Sequence, residues 1–248
     1  MRSPENGVRS SPLAGLRVAV TGGTSGLGLA LVEELSRQGA RVAFVARRRP
    51  GVERVAREHG AHGITGDVSV KEEIHPLALQ ILGALGGLDV LINNAFHLGA
   101  VPLALLGDTE CEALEAALAT NLLGPFRLTR ALLGALTASA REGRGAVVLN
   151  VSSDAAITAY PRWGAYGASK AALRHLTRTW EAELASEGVR FLSVDPGDMD
   201  TPLHALADPD ADPTSLKRPE VAARELVEAI RTALPRPAPM RSVERSAV

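Results

Sequence analysis

The chain has a single cysteine among its 248 residues, which excludes an internal disulfide and any cysteine-rich zinc site. Cys111 is expected to be a small core residue. Aromatic side chains are few, while alanine and the aliphatics dominate, a balance that suits a parallel sheet covered by helices. Neither sign of charge is in excess. The formal net charge is −1 with acids and bases interspersed, so neither nucleic acid nor an anionic membrane is expected as a partner. The six histidines are scattered without metal-ligand spacing, and no metal site is expected. No apolar run reaches the length of a membrane span; the best, Pro76 to Ile92, is broken by Gln80, Asp89 and three glycines. The first residues lack the hydrophobic region of a signal peptide, so a cytoplasmic protein is the expectation. Lysine is scarce as well: Lys71, Lys170 and Lys217 stand against twenty-four arginines.

One of those lysines closes the most informative stretch, GAVVLNVSSDAAITAYPRWGAYGASK, from Gly145 to Lys170. Ala146 to Val151 reads as a strand buried on both faces. Ser152 and Ser153 stand where it ends. Tyr166 and Lys170 then open an Ala/Leu-rich helix, and residues four apart on a helix project from one face. A phenol near its ordinary pKa of roughly 10 exchanges protons poorly near neutrality. A neighbouring cation favours the phenolate and makes Tyr166 a usable acid/base. Ser153 could hydrogen-bond a substrate oxygen as charge develops on it. The plain alternative is an amphipathic helix with Lys170 in solvent. Against it stands a chain that writes Arg almost everywhere yet keeps a compact ammonium here.

Upstream, Arg17 to Val20 is a short strand, followed by TGGTSGLG from Thr21 to Gly28 and a helix with Leu27, Leu31, Val32 and Leu35 on one face. Strand, glycine-rich turn and helix form the setting of a phosphate-binding loop, in which Gly22, Thr24, Ser25, Gly26, Leu27 and Gly28 would face a pyrophosphate. Further strands are expected at Arg41–Ala46, Ala61–Thr65, Leu88–Ile92 and Val189–Val194, with helices over Val70–Leu85, Thr109 to about Ala140, and from Pro219. This alternation predicts an α/β fold with a doubly wound, Rossmann-like parallel sheet in a single domain. Ligands bind such sheets at the carboxyl ends of the strands, where Asp67, Asn93 to Ala95, Ser153 and Pro196-Gly197 also fall. Residues 1–14 are expected to be a flexible segment, 15–234 the dinucleotide-binding catalytic domain, and 235–248 a tail.

Within the long helical stretch, Asn121 shares a stripe with Leu114, Leu118 and Leu122. Pro125, four residues on, has no N–H to return to the Asn121 carbonyl, which could hold a water linking Lys170 to solvent. The end of the second strand bears on the cofactor. An NAD-selective site carries an acid about 20 residues past the glycine loop. Here Ala46 is neutral and Arg47, Arg48 and Arg49 follow. Arg47, with Arg48 as a second contact, could grip a 2′-phosphate, so NADP(H) is preferred and NAD(H) remains open.

The order of these motifs resembles the short-chain dehydrogenase/reductase family in its compact single-domain form, over roughly Leu16 to Leu203. The residues that carry it are Thr21-Gly22-x3-Gly26-x-Gly28, Asp67, Asn93-Asn94-Ala95, Asn121, Ser153, Tyr166-x3-Lys170, Pro196-Gly197 and Thr201. The resemblance implies reversible hydride transfer between a nicotinamide and a carbonyl/alcohol pair, a ketoreductase type of reaction. By it Tyr166 is the general acid/base, Lys170 lowers its pKa and holds the nicotinamide ribose, Ser153 orients the substrate and Asn121 anchors a water relay. Asp67 and Val68 would contact adenine, Asn93 and Ala95 would line the cofactor cleft, and Pro196, Gly197, Met199 and Thr201 would flank the nicotinamide. A homodimer or homotetramer is also implied. The chain departs from the family at Phe96, where glycine is usual, and in its tail, PRPAPMRSVERSAV, which makes the final strand weak or absent.

The segment Asp198–Leu216 is long for a connection and is expected to form a lid. Met199, Leu203 and His204 would face inward beside Phe96, Tyr160 and Trp163, giving an apolar pocket for a hydrophobic ketone or secondary alcohol. Two other classes of function stay open: a dinucleotide-binding sensor without turnover, and a non-redox use of the fold such as epimerisation, dehydration or cyclisation.

Overall fold

The computed structural model describes residues 13–207 and 212–235 of the protein. Its strands are β1 (Arg17–Thr21), β2 (Arg41–Ala46), β3 (His62–Thr65), β4 (Val90–Asn93), β5 (Ala146–Val151) and β6 (Val189–Val194). Its helices are α1 (Gly26–Arg37), α2 (Arg49–His59), α3 (Ile74–Leu85), α4 (Cys111–Leu118), α5 (Gly124–Arg141), α6 (Gly164–Leu184), α7 (Pro202–Ala207) and α8 (Pro219–Ala233). The six strands form one parallel sheet in the order β3-β2-β1-β4-β5-β6. The winding reverses between β1 and β4, which pair Val18 with Val90 and Val20 with Ile92. A crevice therefore opens above these two strands, between the loops that leave them.

Alternation along each strand divides the core in two. Val18, Val20, Phe44 and Ile92 face α1, α2 and α8. Ala19, Val45, Leu91 and Val148 face α3 and α5. Both faces are covered, so β4 and β5 are buried throughout and read as continuous apolar runs. Each fully buried Leu or Ile stabilises the fold by about 1.5–3 kcal/mol.

Below the sheet, Asp89 precedes β4 with its side chain out of solvent. Its carboxylate receives Arg17 Nη2 at 2.6 Å, Arg144 Nη2 at 2.9 Å and Ser139 Oγ at 2.6 Å. Burial alone would raise its pKa, but hydrogen bonds from Arg144, Arg17 and Ser139 outweigh it and hold the group far below the usual carboxylate range. The cluster ties β1, β4 and the end of α5 together at the edge opposite the crevice.

Several details differ from expectation. The helix α2 carries only two buried residues, Val52 and Val55, too few to show a period in the sequence. The helix expected from Val70 begins with a 3-10 turn, Lys71–Glu73, before α3, and β4 starts at Val90 rather than Leu88. Cys111 is exposed, because it opens α4 on the solvent side. Leu13, placed in the flexible segment, is buried against the α1/α8 core. The expected tail falls almost wholly on residues 236–248, outside the described part, as do residues 1–12 and the 208–211 part of the expected lid.

Candidate active site

The glycine-rich loop is shaped by what a side chain would strike. A Cβ on Gly28 would fall on the carbonyl oxygen of Gly22, and Gly22 and Gly26 take φ of +75° and +49°. Ser25, the residue before α1, makes no side-chain cap, so the first N–H groups of α1 keep their donors for a ligand. Thr24 sits beside the start of α2, its Cβ and Cγ2 each 3.7 Å from where a Cβ on Gly51 would stand. The loop is fastened from across the crevice. Asn94 Nδ2 donates to the Thr21 carbonyl at 2.9 Å, while the N–H groups of Asn94 and Ala95 both donate to Thr21 Oγ1 at 3.0 Å. A Cβ on Gly22 would meet Ala95 Cα at 3.0 Å, so Ala95 lies directly against the glycine loop.

Asn93 points elsewhere. Its amide donates to Asn150 Oδ1 at 2.8 Å and Thr129 Oγ1 at 3.3 Å inside the layer between sheet and helices. Its side chain therefore does not line the cleft, because the alternation of β4 turns it inward. Asp67 accepts from Ser69 Oγ at 2.7 Å and stands 4.0 Å from Arg47 Nη1. Val68 is buried in the α3/α5 core. Arg47 and Arg48 are both exposed at the end of β2.

Tyr166 lies in the first turns of α6 and is nearly buried, with Lys170 wholly so. Lys170 Nζ donates to the Val151 carbonyl at 2.7 Å and lies 5.6 Å from the centres of both the Tyr166 and Phe96 rings. Burial lowers the Lys170 pKa to about 8, with Asp195 opposing. Burial also pushes the Tyr166 phenol above its ordinary value; the Ser153 hydroxyl, hydrogen-bonded to it, pulls the other way, and Asp195, Asp154 and Asp198 add to the rise. This direction is opposite to the lowered value expected beside a lysine. Desolvation by burial is the largest cause and outweighs the Ser153 hydrogen bond.

Ser153 Oγ also donates to Asp154 Oδ1 at 3.0 Å, and Asp154 receives the Tyr160 hydroxyl at 2.7 Å. Asn121 is fully buried in a π-helical turn, Ala119–Leu123, between α4 and α5. Its amide grips the backbone of His97, accepting from N–H at 2.7 Å and donating to the carbonyl at 2.8 Å, and donates to Ser169 Oγ at 2.8 Å. Asn121 thus ties the segment after β4 to α6, beside Tyr166.

A model of the short chain dehydrogenase family matches residues 17–212. The chain belongs to that family. An uncharacterized oxidoreductase of Mycobacterium tuberculosis is 36% identical over 194 residues, covering 75% of this chain and 55% of the relative. The chain thus spans about half the length of the mycobacterial relatives it matches. A 2-(R)-hydroxypropyl-CoM dehydrogenase of Xanthobacter autotrophicus is 32% identical over 194 residues, covering 75% of this chain and 76% of that one. Among solved structures, the 3-ketoacyl-(acyl-carrier-protein) reductase of Brucella melitensis complexed with NADH has a TM-score of 0.81 and 27% identity, covering 86% of this chain and 90% of that one.

In this short-chain dehydrogenase the rim of the site is apolar. The Phe96 and Trp163 rings meet the Tyr166 ring edge-on, at 6.1 and 5.6 Å between centres. Leu98 and Ala155 are buried with Tyr166, and Leu103 and Ala207 pack on the group. Sequence reasoning did not find these four; Leu98 and Leu103 lie in 94–105, which has no period to read. Tyr160 is half-exposed and held by Asp154. Of the expected lid, α7 is described, and its Ala207 packs on the Leu98–Ala155–Tyr166 group. Thr201 caps α7, its hydroxyl accepting from His204 N–H at 3.1 Å, and its methyl would sit 3.2 Å from a Cβ on Gly26. Met199 does not face that pocket group; it packs against the α1/α8 core because the chain there is paired with Lys217. His204 is mostly buried with Nε2 3.9 Å from Asp198 Oδ1. Leu203 lies on α7, its side chain outside the described part. Pro196 is buried, and Gly197 takes a φ of +77° directly above it. Among the described residues there is no cluster able to hold a metal ion and no helix long and apolar enough to cross a membrane.

Proposed function

We propose that the chain is an NADP(H)-dependent oxidoreductase acting on a carbonyl/secondary alcohol pair, with Tyr166 as general acid/base. The observation that carries this reading is the joint burial of the Tyr166 phenol and Lys170 ammonium, with Ser153 on the phenol, at the carboxyl edge of the sheet. The glycine loop fits a dinucleotide: its cradle is one that a Cβ on Gly28 would fill, and the uncapped N–H groups of α1 face it. A bound nicotinamide supplies or takes the hydride.

The residues do the rest. Burial keeps the Tyr166 phenol protonated near neutrality, the form that donates a proton to a carbonyl oxygen during reduction. Ser153 Oγ stands beside that hydroxyl and can donate to the same oxygen as negative charge grows on it. The Lys170 ammonium is assigned the nicotinamide ribose and the restoring of charge balance when Tyr166 has lost its proton. Asn121, whose carbonyl Pro125 cannot serve, is assigned a water that returns protons to Lys170. Phe96, Trp163, Leu98 and Ala207 favour a hydrophobic ketone or secondary alcohol over a charged sugar. The neutral Ala46 followed by exposed Arg47 and Arg48 supports the 2′-phosphate of NADP(H).

The test is turnover of a panel of hydrophobic ketones with NADPH by the wild type and Tyr166→Phe. The wild type should reduce at least one of them. The variant should lose about 10²–10⁴-fold in kcat while binding dinucleotide as before. Activity kept within a few-fold in Tyr166→Phe would remove Tyr166 from the chemistry.

A further inference from the structure

Lys217 is one of only three lysines in the chain, and it stands outside the Tyr166 site. Its ammonium donates to the Pro196 carbonyl at 3.0 Å and to Glu225 Oε2 at 2.7 Å. Its backbone engages the same loop: Lys217 N–H donates to the Asp198 carbonyl at 2.9 Å, and Asp200 N–H donates to the Lys217 carbonyl at 3.0 Å. Lys217 thereby pairs with Met199 in an isolated parallel bridge, and Met199 packs on the core beneath. A single residue holds the oxygens of Pro196 and Asp198 and the amide of Asp200. Thr201 follows directly from this neck and Leu216 leads directly into it.

Two contacts lie just beyond it. Thr201 sits against Gly26 of the glycine loop, and Ala207, at the end of α7, packs on the Tyr166 group. The height of the neck therefore sets how α7 meets both halves of the site. A point charge suits this place. Both acceptors meet at one nitrogen, and that nitrogen lies 3.7 Å from the Cβ position of Gly197, close quarters for a planar guanidinium.

We propose that Lys217 is a positioning residue: with Glu225 it pins the Pro196–Asp200 loop, so that α7 closes over Tyr166 and the glycine loop at one fixed height. The positioning stands on the geometry alone, whereas its effect on turnover rests on the dehydrogenase reading above. The residues that move protons come from β5 and α6, so loss of the pin should weaken binding more than chemistry.

The experiment compares backbone amide exchange in the full chain without added ligand for the wild type, Lys217→Met and Glu225→Gln. Dinucleotide affinity and steady-state kinetics with NADPH follow. In Lys217→Met the Asp200 and Ala205 amides should exchange about tenfold faster, as loss of a charged hydrogen bond implies, while the β5 amides hold their rates. Dinucleotide Kd and KM should rise about tenfold with kcat within about twofold. Glu225→Gln should move the same quantities less, and the double variant no further than Lys217→Met, since both act through one contact. Unchanged exchange at Asp200 and Ala205 would overturn the proposal. So would an acceleration shared equally by β5, which marks plain destabilisation. If the wild type bound no dinucleotide, the dehydrogenase reading would fall, and the exchange rates would still decide the role of Lys217.

Discussion

The Lys170 ammonium lies 5.6 Å from the centre of the Phe96 ring, at a position where the family usually has glycine. A cation over an aromatic face is stabilised by about 0.5–2 kcal/mol, which favours the charged form of a lysine that burial would otherwise neutralise. Phe96→Leu keeps much of the bulk and removes the π face. The Lys170 titration should then fall relative to that of the wild type, by roughly half a unit or more. The alkaline limb of dinucleotide affinity reads this directly; an unmoved limb would show the ring to be a mere neighbour.

The same titration has two opposite consequences. If the ammonium holds the ribose, affinity for dinucleotide is full below about pH 8 and falls up to about tenfold per pH unit above it. Lys170→Met should bind weakly with no such limb. For stability the sign reverses. The folded pKa lies below the ordinary 10.5, so the folded state binds fewer protons between about 8 and 10.5. The cost of burying the ammonium is present in full below pH 8 and is relieved as pH rises through that window. Urea midpoints of wild type minus Lys170→Met, measured from pH 7 to 10.5, should therefore improve with pH.

On the proposed reading, cofactor choice turns on Arg47, whose Nη1 stands 4.0 Å from Asp67 Oδ2. NADP(H) should be preferred over NAD(H) in kcat/KM by about 10- to 100-fold, and nearer tenfold because Arg47 is exposed. Ala46→Asp combined with Arg47→Ala should reverse the preference. Asp67→Asn should raise the NADP/NAD ratio a few-fold by releasing Arg47, since any loss of adenine contact affects both cofactors alike. A wild type that prefers NADH would end this assignment.

Asp89 offers a control at the far edge of the sheet. Removing one partner of a buried ion pair costs about 3–5 kcal/mol, and Asp89→Ala should sit near the lower figure because Arg144 is partly exposed. Turnover per folded molecule should not change. The carboxylate's folded pKa is depressed, so its contribution is present above the ordinary value of 3.8 and is lost as pH falls below it. The loss is complete only below the folded pKa, so the gap between the denaturation midpoints of wild type and variant should be narrower at pH 3 than at pH 7 without closing.

What the sequence determined by itself was local or periodic. Strands buried on both faces, such as Val90–Asn93 and Ala146–Val151, show as apolar runs because every position meets a helix. The Tyr166-x3-Lys170 spacing specifies one helix face whatever surrounds it, and the glycines of the phosphate loop are required by backbone shape within a few residues. What only the tertiary structure decided depends on partners far apart in the chain. Asn121 and His97 are 24 residues apart, Lys217 and Pro196 are 21 apart, and Asp89 and Arg17 are 72 apart. No period links such pairs, and the same amide or ammonium reads as a surface group until packing brings its acceptor. The direction of the Tyr166 titration was hidden for the same reason. The Lys170 neighbour was visible in the spacing, but the burial that raises the phenol was not: Tyr166 is buried with Leu98 and Ala155, with Trp163 and Ala207 packed on that group, only when the chain has folded.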